Sequence, residues 1–126
     1  MTHTPEAVRG TYLERLVINV THDCNMRCAY CFADAGAYGA ERGMLSERTG
    51  RRIIEDFFSR FERIGRIQFF GGEPLMRLDL LREAVEHVER EVAALPEPRP
   101  SLRFILNTNG TLIDDEAIAL MSGRRF

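Results

Sequence analysis

The chain has 126 residues, of which 44% are hydrophobic and 29% charged, a size and composition that fit one globular domain or part of one and exclude wholesale disorder. Seventeen basic and nineteen acidic residues leave a net charge of −2, which excludes a strongly basic nucleic-acid binder and gives no electrostatic reason to dock on a membrane. Every basic side chain other than histidine is an arginine, so Schiff-base lysine chemistry is excluded as well.

The opening residues, Met1-Thr2-His3-Thr4-Pro5-Glu6, have neither the basic patch nor the apolar stretch of a signal peptide. No apolar run approaches the roughly 20 residues that span a bilayer. The three cysteines are bunched between positions 24 and 31. An odd, clustered set is a poor disulfide framework and suits a reducing compartment, so the cytoplasm is the expected location.

Leu13 to Val20 contains the β-branched run Leu16-Val17-Ile18-Asn19-Val20 and reads as a buried strand. A polar stretch from Thr21 to about Leu45 follows and holds all three cysteines; connections of that length are usually functional. Ser46 is placed to cap a helix whose Ile53, Ile54, Phe57, Phe58 and Phe61 share one face, a stripe that reads as helix-to-sheet packing. Ile67-Gln68-Phe69-Phe70 reads as a second strand, ending at Gly71-Gly72-Glu73-Pro74. Leu81, Ala84, Val85, Val88, Val92 and Leu95 form a second helical stripe, stopped by Pro96, Pro98 and Pro100. Leu102 to Leu106 reads as a third strand closed by Asn107-Thr108-Asn109-Gly110, and Asp114 or Asp115 caps a short helix reaching about Met121. Residues 122–126 carry no structural signal.

Strand and helix thus alternate three times, which predicts an α/β fold with a parallel sheet. Three such units leave edges exposed, so the chain reads as the N-terminal part of a larger α/β barrel or as a fold that needs a partner chain.

Cys24-Asn25-Met26-Arg27-Cys28-Ala29-Tyr30-Cys31 is the strongest chemical signal. Three thiolates at this spacing can hold a 4Fe–4S cluster with one iron left for a non-protein ligand. Spacing alone leaves structural zinc open, with His22 as an awkwardly close fourth ligand. It also leaves open an iron–sulfur module without catalysis. Gly71 and Gly72 let a ligand lie against the backbone, and Glu73 could hold an ammonium group by a charge-assisted hydrogen bond. Asn107-Thr108-Asn109-Gly110 is weaker, being built of ordinary turn residues. All three motifs fall at C-terminal ends of predicted parallel strands, the rim where α/β folds bind ligands.

Together these words resemble the radical S-adenosylmethionine (SAM) enzyme superfamily. Cys24, Cys28 and Cys31, with Tyr30 before the last cysteine, look like its cluster motif, and Gly71-Gly72-Glu73-Pro74 looks like its SAM-binding motif. Asn19-Val20-Thr21-His22-Asp23-Cys24-Asn25, Cys31-Phe32-Ala33, Tyr38-Gly39 and Asn107-Thr108-Asn109-Gly110 resemble the peptide-modifying branch, whose members carry a SPASM or Twitch extension. The resemblance implies three β/α units of a partial (β/α)6 TIM-like barrel over residues 1–126, without that extension. It implies a 4Fe–4S cluster on Cys24, Cys28 and Cys31 as metal ligands. It implies SAM bound by Tyr30, Gly71, Gly72, Glu73 and Asn109, with Tyr30 near the adenine and Gly72 and Glu73 against the methionyl amino group. Reductive cleavage of SAM would then give a 5′-deoxyadenosyl radical that abstracts hydrogen from a peptide or protein substrate, as in thioether formation. A one-electron reductant such as flavodoxin or ferredoxin, and a complementing C-terminal half, are the further partners implied; nucleic acid and membrane are not.

Bland readings cover the rest. His3 and His87 are expected at the surface. Arg82 to Glu91 reads as a solvated helix face with Glu86 and Arg90 paired at (i, i+4).

Overall fold

A computed structural model describes residues 10–21, 45–96, 101–122 and 125–126. Strand β1 (Gly10–Thr21) is followed by helix α1 (Glu47–Arg60), strand β2 (Phe61–Gly71), a 3-10 turn (Pro74–Arg77), helix α2 (Leu78–Ala93), strand β3 (Arg103–Leu106) and helix α3 (Asp115–Met121). The sheet order is β1-β2-β3 and both pairings are parallel, the α/β arrangement that the alternating pattern predicts.

The helix starts follow local chemistry. Ser46 Oγ accepts the Thr49 amide at 3.1 Å, and Asp114 Oδ1 accepts the Ala117 amide at 2.9 Å, each satisfying an otherwise orphaned N–H in the first turn. The first helix ends differently from expectation. Phe61 is not on its last turn but opens β2, with φ −127° and ψ 137°, so helix passes into strand with no loop between. The Phe61 ring still stacks on Phe57, centroids 6.2 Å apart, which is why it reads as part of the helical stripe. β2 is accordingly longer than Ile67–Phe70, pairing with β1 from Gly10↔Phe61 to Thr21↔Gly71.

Alternation along the strands sends one set of side chains to the helices. Leu16, Ile18 and Val20 of β1, Ile67 and Phe69 of β2 and Phe104 of β3 meet Ile54 and Phe58 of α1, Leu81, Val85, Val88 and Val92 of α2, and Ala117 and Leu120 of α3. Each large apolar side chain buried there contributes about 1.5–3 kcal/mol, so this layer holds the fold together. The opposite face carries charged side chains. Arg15, Arg66 and Arg103 lie side by side in the register, and Val17 is 52% exposed on the same side of β1.

His87 departs from expectation. It is buried, 6% exposed, with Nε2 3.4 Å from Glu91 and 3.7 Å from Glu55 of α1. Leu80, Ala84, His87 and Glu91 form a row at helical spacing beside the main apolar stripe, and that row faces α1. His3 lies outside the described residues. Glu86 and Arg90 form no ion pair; their neighbours on the helix pair instead with other elements, Glu83 with Arg51, Arg82 with Glu116 and Glu89 with Arg125. The chain's last residues are also engaged. The Arg125 carbonyl accepts the Phe104 amide at 2.9 Å, and the Phe126 ring packs 5.2 Å from that of Phe104. No signal for this was present in so short a polar segment.

Candidate cofactor site at the strand ends

The C-terminal ends of β1, β2 and β3 lie side by side, and the Gly71-Gly72-Glu73-Pro74 and Asn107-Thr108-Asn109-Gly110 motifs meet there. Gly71 closes β2 with φ +138°, a conformation that side chains rarely adopt. A Cβ at Gly71 would stand 2.6 Å from Asn19 Oδ1 and closer still to the Thr21 carbonyl oxygen, so glycine is required by space as well as by φ. The following amide, Gly72 N–H, donates to the Thr21 carbonyl at 3.0 Å. The glycine turn and the end of β1 are thereby stitched together at the residue from which the cysteine-bearing segment departs.

That segment also rejoins the fold here. Leu45 donates its amide to the Val20 carbonyl at 2.9 Å, while the Leu45 carbonyl accepts Arg77 Nη1 at 3.0 Å. Arg77 is steadied by Asp79, 3.1 Å from its Nε, and this hydrogen bond holds the Asp79 carboxyl below its ordinary pKa. One short stretch, Gly72 to Arg77, therefore holds both ends of the segment 22–44. Sequence reading passed over Arg77, whose only signal is its place just after the glycine motif.

Glu73 is buried, at 0% exposure, and its carboxylate is engaged inside the protein. Oε2 accepts the Leu75 amide at 3.0 Å and the Thr108 hydroxyl at 2.6 Å; Oε1 accepts the Asn109 amide at 2.7 Å. The first of these bonds caps the 3-10 turn, with Pro74 fixing its first position. The other two tie the β2 turn to the β3 turn. Asn109 Oδ1 in turn holds the Thr111 amide at 3.0 Å, and Thr108 Oγ1 accepts the Gly110 amide at 3.1 Å, so the second turn is closed by its own side chains. Asn109 itself is exposed.

Of the residues singled out in sequence, the structure brings Gly71, Gly72, Glu73 and Asn109 to one rim. Tyr30, Cys24, Cys28 and Cys31 lie outside the described residues. No group of metal-ligating side chains occurs among the described residues. The rim suits a ligand bound through backbone: β2 ends there with Gly71, and Gly72 follows, two successive residues without side chains. No helix among the described residues is long and apolar enough to cross a membrane.

The family model for the radical SAM superfamily matches residues 18–125. The chain belongs to this superfamily, whose cofactors are a 4Fe–4S cluster and SAM. It is 39% identical over 112 residues to GTP 3′,8-cyclase of Streptomyces coelicolor, covering 88% of this chain and 30% of that protein. It is 37% identical over 101 residues to Fe-coproporphyrin III synthase of Methanosarcina barkeri, covering 80% and 22%. It is 26% identical to the radical SAM cyclopropyl synthase TigE of Paramaledivibacter caminithermalis, covering 82% and 24%. The chain thus spans about a third or less of the length of these relatives. The activities in their names differ from one another, so the relationship is shown at the level of the superfamily and does not single out its peptide-modifying branch.

Proposed function

We propose that this chain is the cofactor-binding part of a radical SAM enzyme. Cys24, Cys28 and Cys31 are assigned the 4Fe–4S cluster, and Tyr30, Gly71, Gly72, Glu73 and Asn109 are assigned SAM. The observation that carries the reading is the stitch from Gly72 to Thr21: it sets the glycine turn beside the point where the cysteine segment leaves the sheet, with Cys24 three residues further along. When bound, the two groups supply a 5′-deoxyadenosyl radical for hydrogen abstraction. The chain's own work is placement. Gly71 and Gly72 bring backbone to the ligand, Arg77 and Gly72 anchor the ends of the cluster-bearing segment, and the covered sheet gives the rim a rigid base.

The finer assignment is modification of a peptide, such as thioether formation. It draws support from the words flanking the cysteines and from Asn107-Thr108-Asn109-Gly110. A peptide or protein substrate, a flavodoxin- or ferredoxin-type reductant, a cytoplasmic setting and a complementing C-terminal half belong to the same proposal.

Anaerobic reconstitution tests it. The chain should take up iron and sulfide rather than zinc, and Cys28→Ala should lose the brown chromophore. With reductant and SAM, the reconstituted protein should form 5′-deoxyadenosine. Cluster without cleavage would favour a non-catalytic iron–sulfur module, and zinc without sulfide would overturn the assignment.

A further inference from the structure

We infer that Thr108 is a positioning residue for SAM, acting through the Glu73 carboxylate, which braces the β2 turn against the β3 turn. The inference rests on the functional reading above and goes beyond it, since Thr108 belongs to none of the residues assigned a ligand.

The carboxylate of Glu73 has about four acceptor positions, and three are filled from within the chain by Leu75 N–H, Thr108 O–H and Asn109 N–H. A side chain so engaged, on a fully buried residue, is a structural tie before it is anything else. The tie spans the two loops that follow the ladder: β2 meets β3 over Arg66↔Arg103 to Phe69↔Leu106, and at its end the Asn107 amide reaches the Phe69 carbonyl while Gln68 Nε2 donates to Asn107 Oδ1. Past that bond, Glu73 ties the turn at Gly72 to the backbone of Asn109. Thr108 is the donor that sets it from the far side. Its hydroxyl gives its proton to Glu73 Oε2 at 2.6 Å and accepts the Gly110 amide at 3.1 Å, so its orientation is fixed from both directions. Gly110 has φ +82° and nothing within 4 Å of where a Cβ would stand, so the hydroxyl, not packing, shapes this turn. A ligand lying across Gly72 and Asn109 would meet two backbones whose spacing is set by one buried carboxylate and one hydroxyl.

The test uses three variants of the full chain: Thr108→Val, which keeps the shape and removes the hydroxyl; Thr108→Ser, which keeps the hydroxyl; and Glu73→Gln. The brace is read first, without cofactor, by hydrogen exchange of a peptide covering residues 107–111. Exchange should be slow in the wild type and in Thr108→Ser and faster in Thr108→Val and Glu73→Gln; equal exchange in all four overturns the brace. Anaerobic reconstitution and the change in the reduced cluster's electron paramagnetic resonance spectrum on adding SAM then give the affinity. Thr108→Val should weaken SAM binding about tenfold, the size expected for a lost hydrogen bond to a carboxylate, with iron content unchanged and with recovery in Thr108→Ser. Unchanged SAM affinity in a Thr108→Val protein whose exchange has quickened overturns the positioning role. A wild-type chain that holds its cluster and shows no SAM response overturns the functional reading itself, and with it the role of Thr108.

Discussion

The layer between sheet and helices and the rim at the strand ends are held by different forces. In the layer, Ile67, Phe69, Leu81, Val85 and Val88 are buried apolar side chains from strands and helices distant in sequence, and dispersion and water exclusion fix them without directional bonds. At the rim, order comes from a handful of hydrogen bonds, from one backbone geometry open to glycine, and from a carboxylate turned inward. The difference separates two kinds of failure. Damage to the layer should lower stability and leave the rim's geometry alone, whereas damage to the rim should disturb ligand placement at modest cost in stability.

The largest break in that contrast comes from Phe69, fully buried and 5.9 Å from the Phe104 ring. Phe69→Ala should lose about 3–5 kcal/mol through lost transfer energy and the cavity left behind. The shift of the urea midpoint measures it. Phe69→Leu, which costs about 1.5 kcal/mol or less, should stay folded and bind SAM as the wild type does. A Phe69→Leu protein with impaired SAM binding would show that the two regions are not separable.

Gly71→Ala gives an intermediate effect of the opposite kind. The new methyl meets the Thr21 carbonyl, which is backbone and cannot swing aside, and φ is already in the region side chains avoid. Strain of roughly 1–3 kcal/mol should appear in the urea midpoint, and SAM binding should fall much further than in Phe69→Leu. Equal SAM binding in the two variants would dissolve the distinction.

The smallest effect lies in the charges that flank both regions. The Glu83 carboxyl is held below its ordinary range by its hydrogen bond to Arg51, as Asp79 is by Arg77. Because the folded state binds these protons less readily than the unfolded chain, their contribution is present above the ordinary carboxylate pKa, about 4, and fades as the pH falls through the depressed folded values. Glu83→Gln should therefore flatten the acid limb of a melting-temperature profile slightly, and added salt should erase the difference, since the pair is exposed. A profile unchanged by Glu83→Gln at low salt would remove the pair from the account.

Legibility in the sequence followed the same division. The three strands and the two long helices were readable because apolar periodicity is a repeated signal; Ser46 and Asp114 were readable because caps have local chemistry. The first half of β2 was not, because Glu62, Arg63 and Arg66 are exposed charged residues and Gly65 interrupts the pattern. His87 was misread because its burial depends on which row of α2 meets α1, a tertiary fact. At the rim, Gly71-Gly72-Glu73 stood out by composition and by place. The inward turn of Glu73 and the role of Thr108 did not, since both rest on a contact between residues 35 positions apart. The cysteine motif was the plainest chemical word in the chain and lies outside the described residues.

The pinning of Thr21 by Gly72 and of Leu45 by Val20 and Arg77 has an evolutionary consequence. When the two ends of a connection are held at one clasp, the scaffold bears little of the cost of changing its length, since doubling a flexible connection adds only about 0.6 kcal/mol of closure entropy. Variation between clasps of this sort lets one sheet serve many chemistries while its anchors, Gly72 and Arg77, stay put.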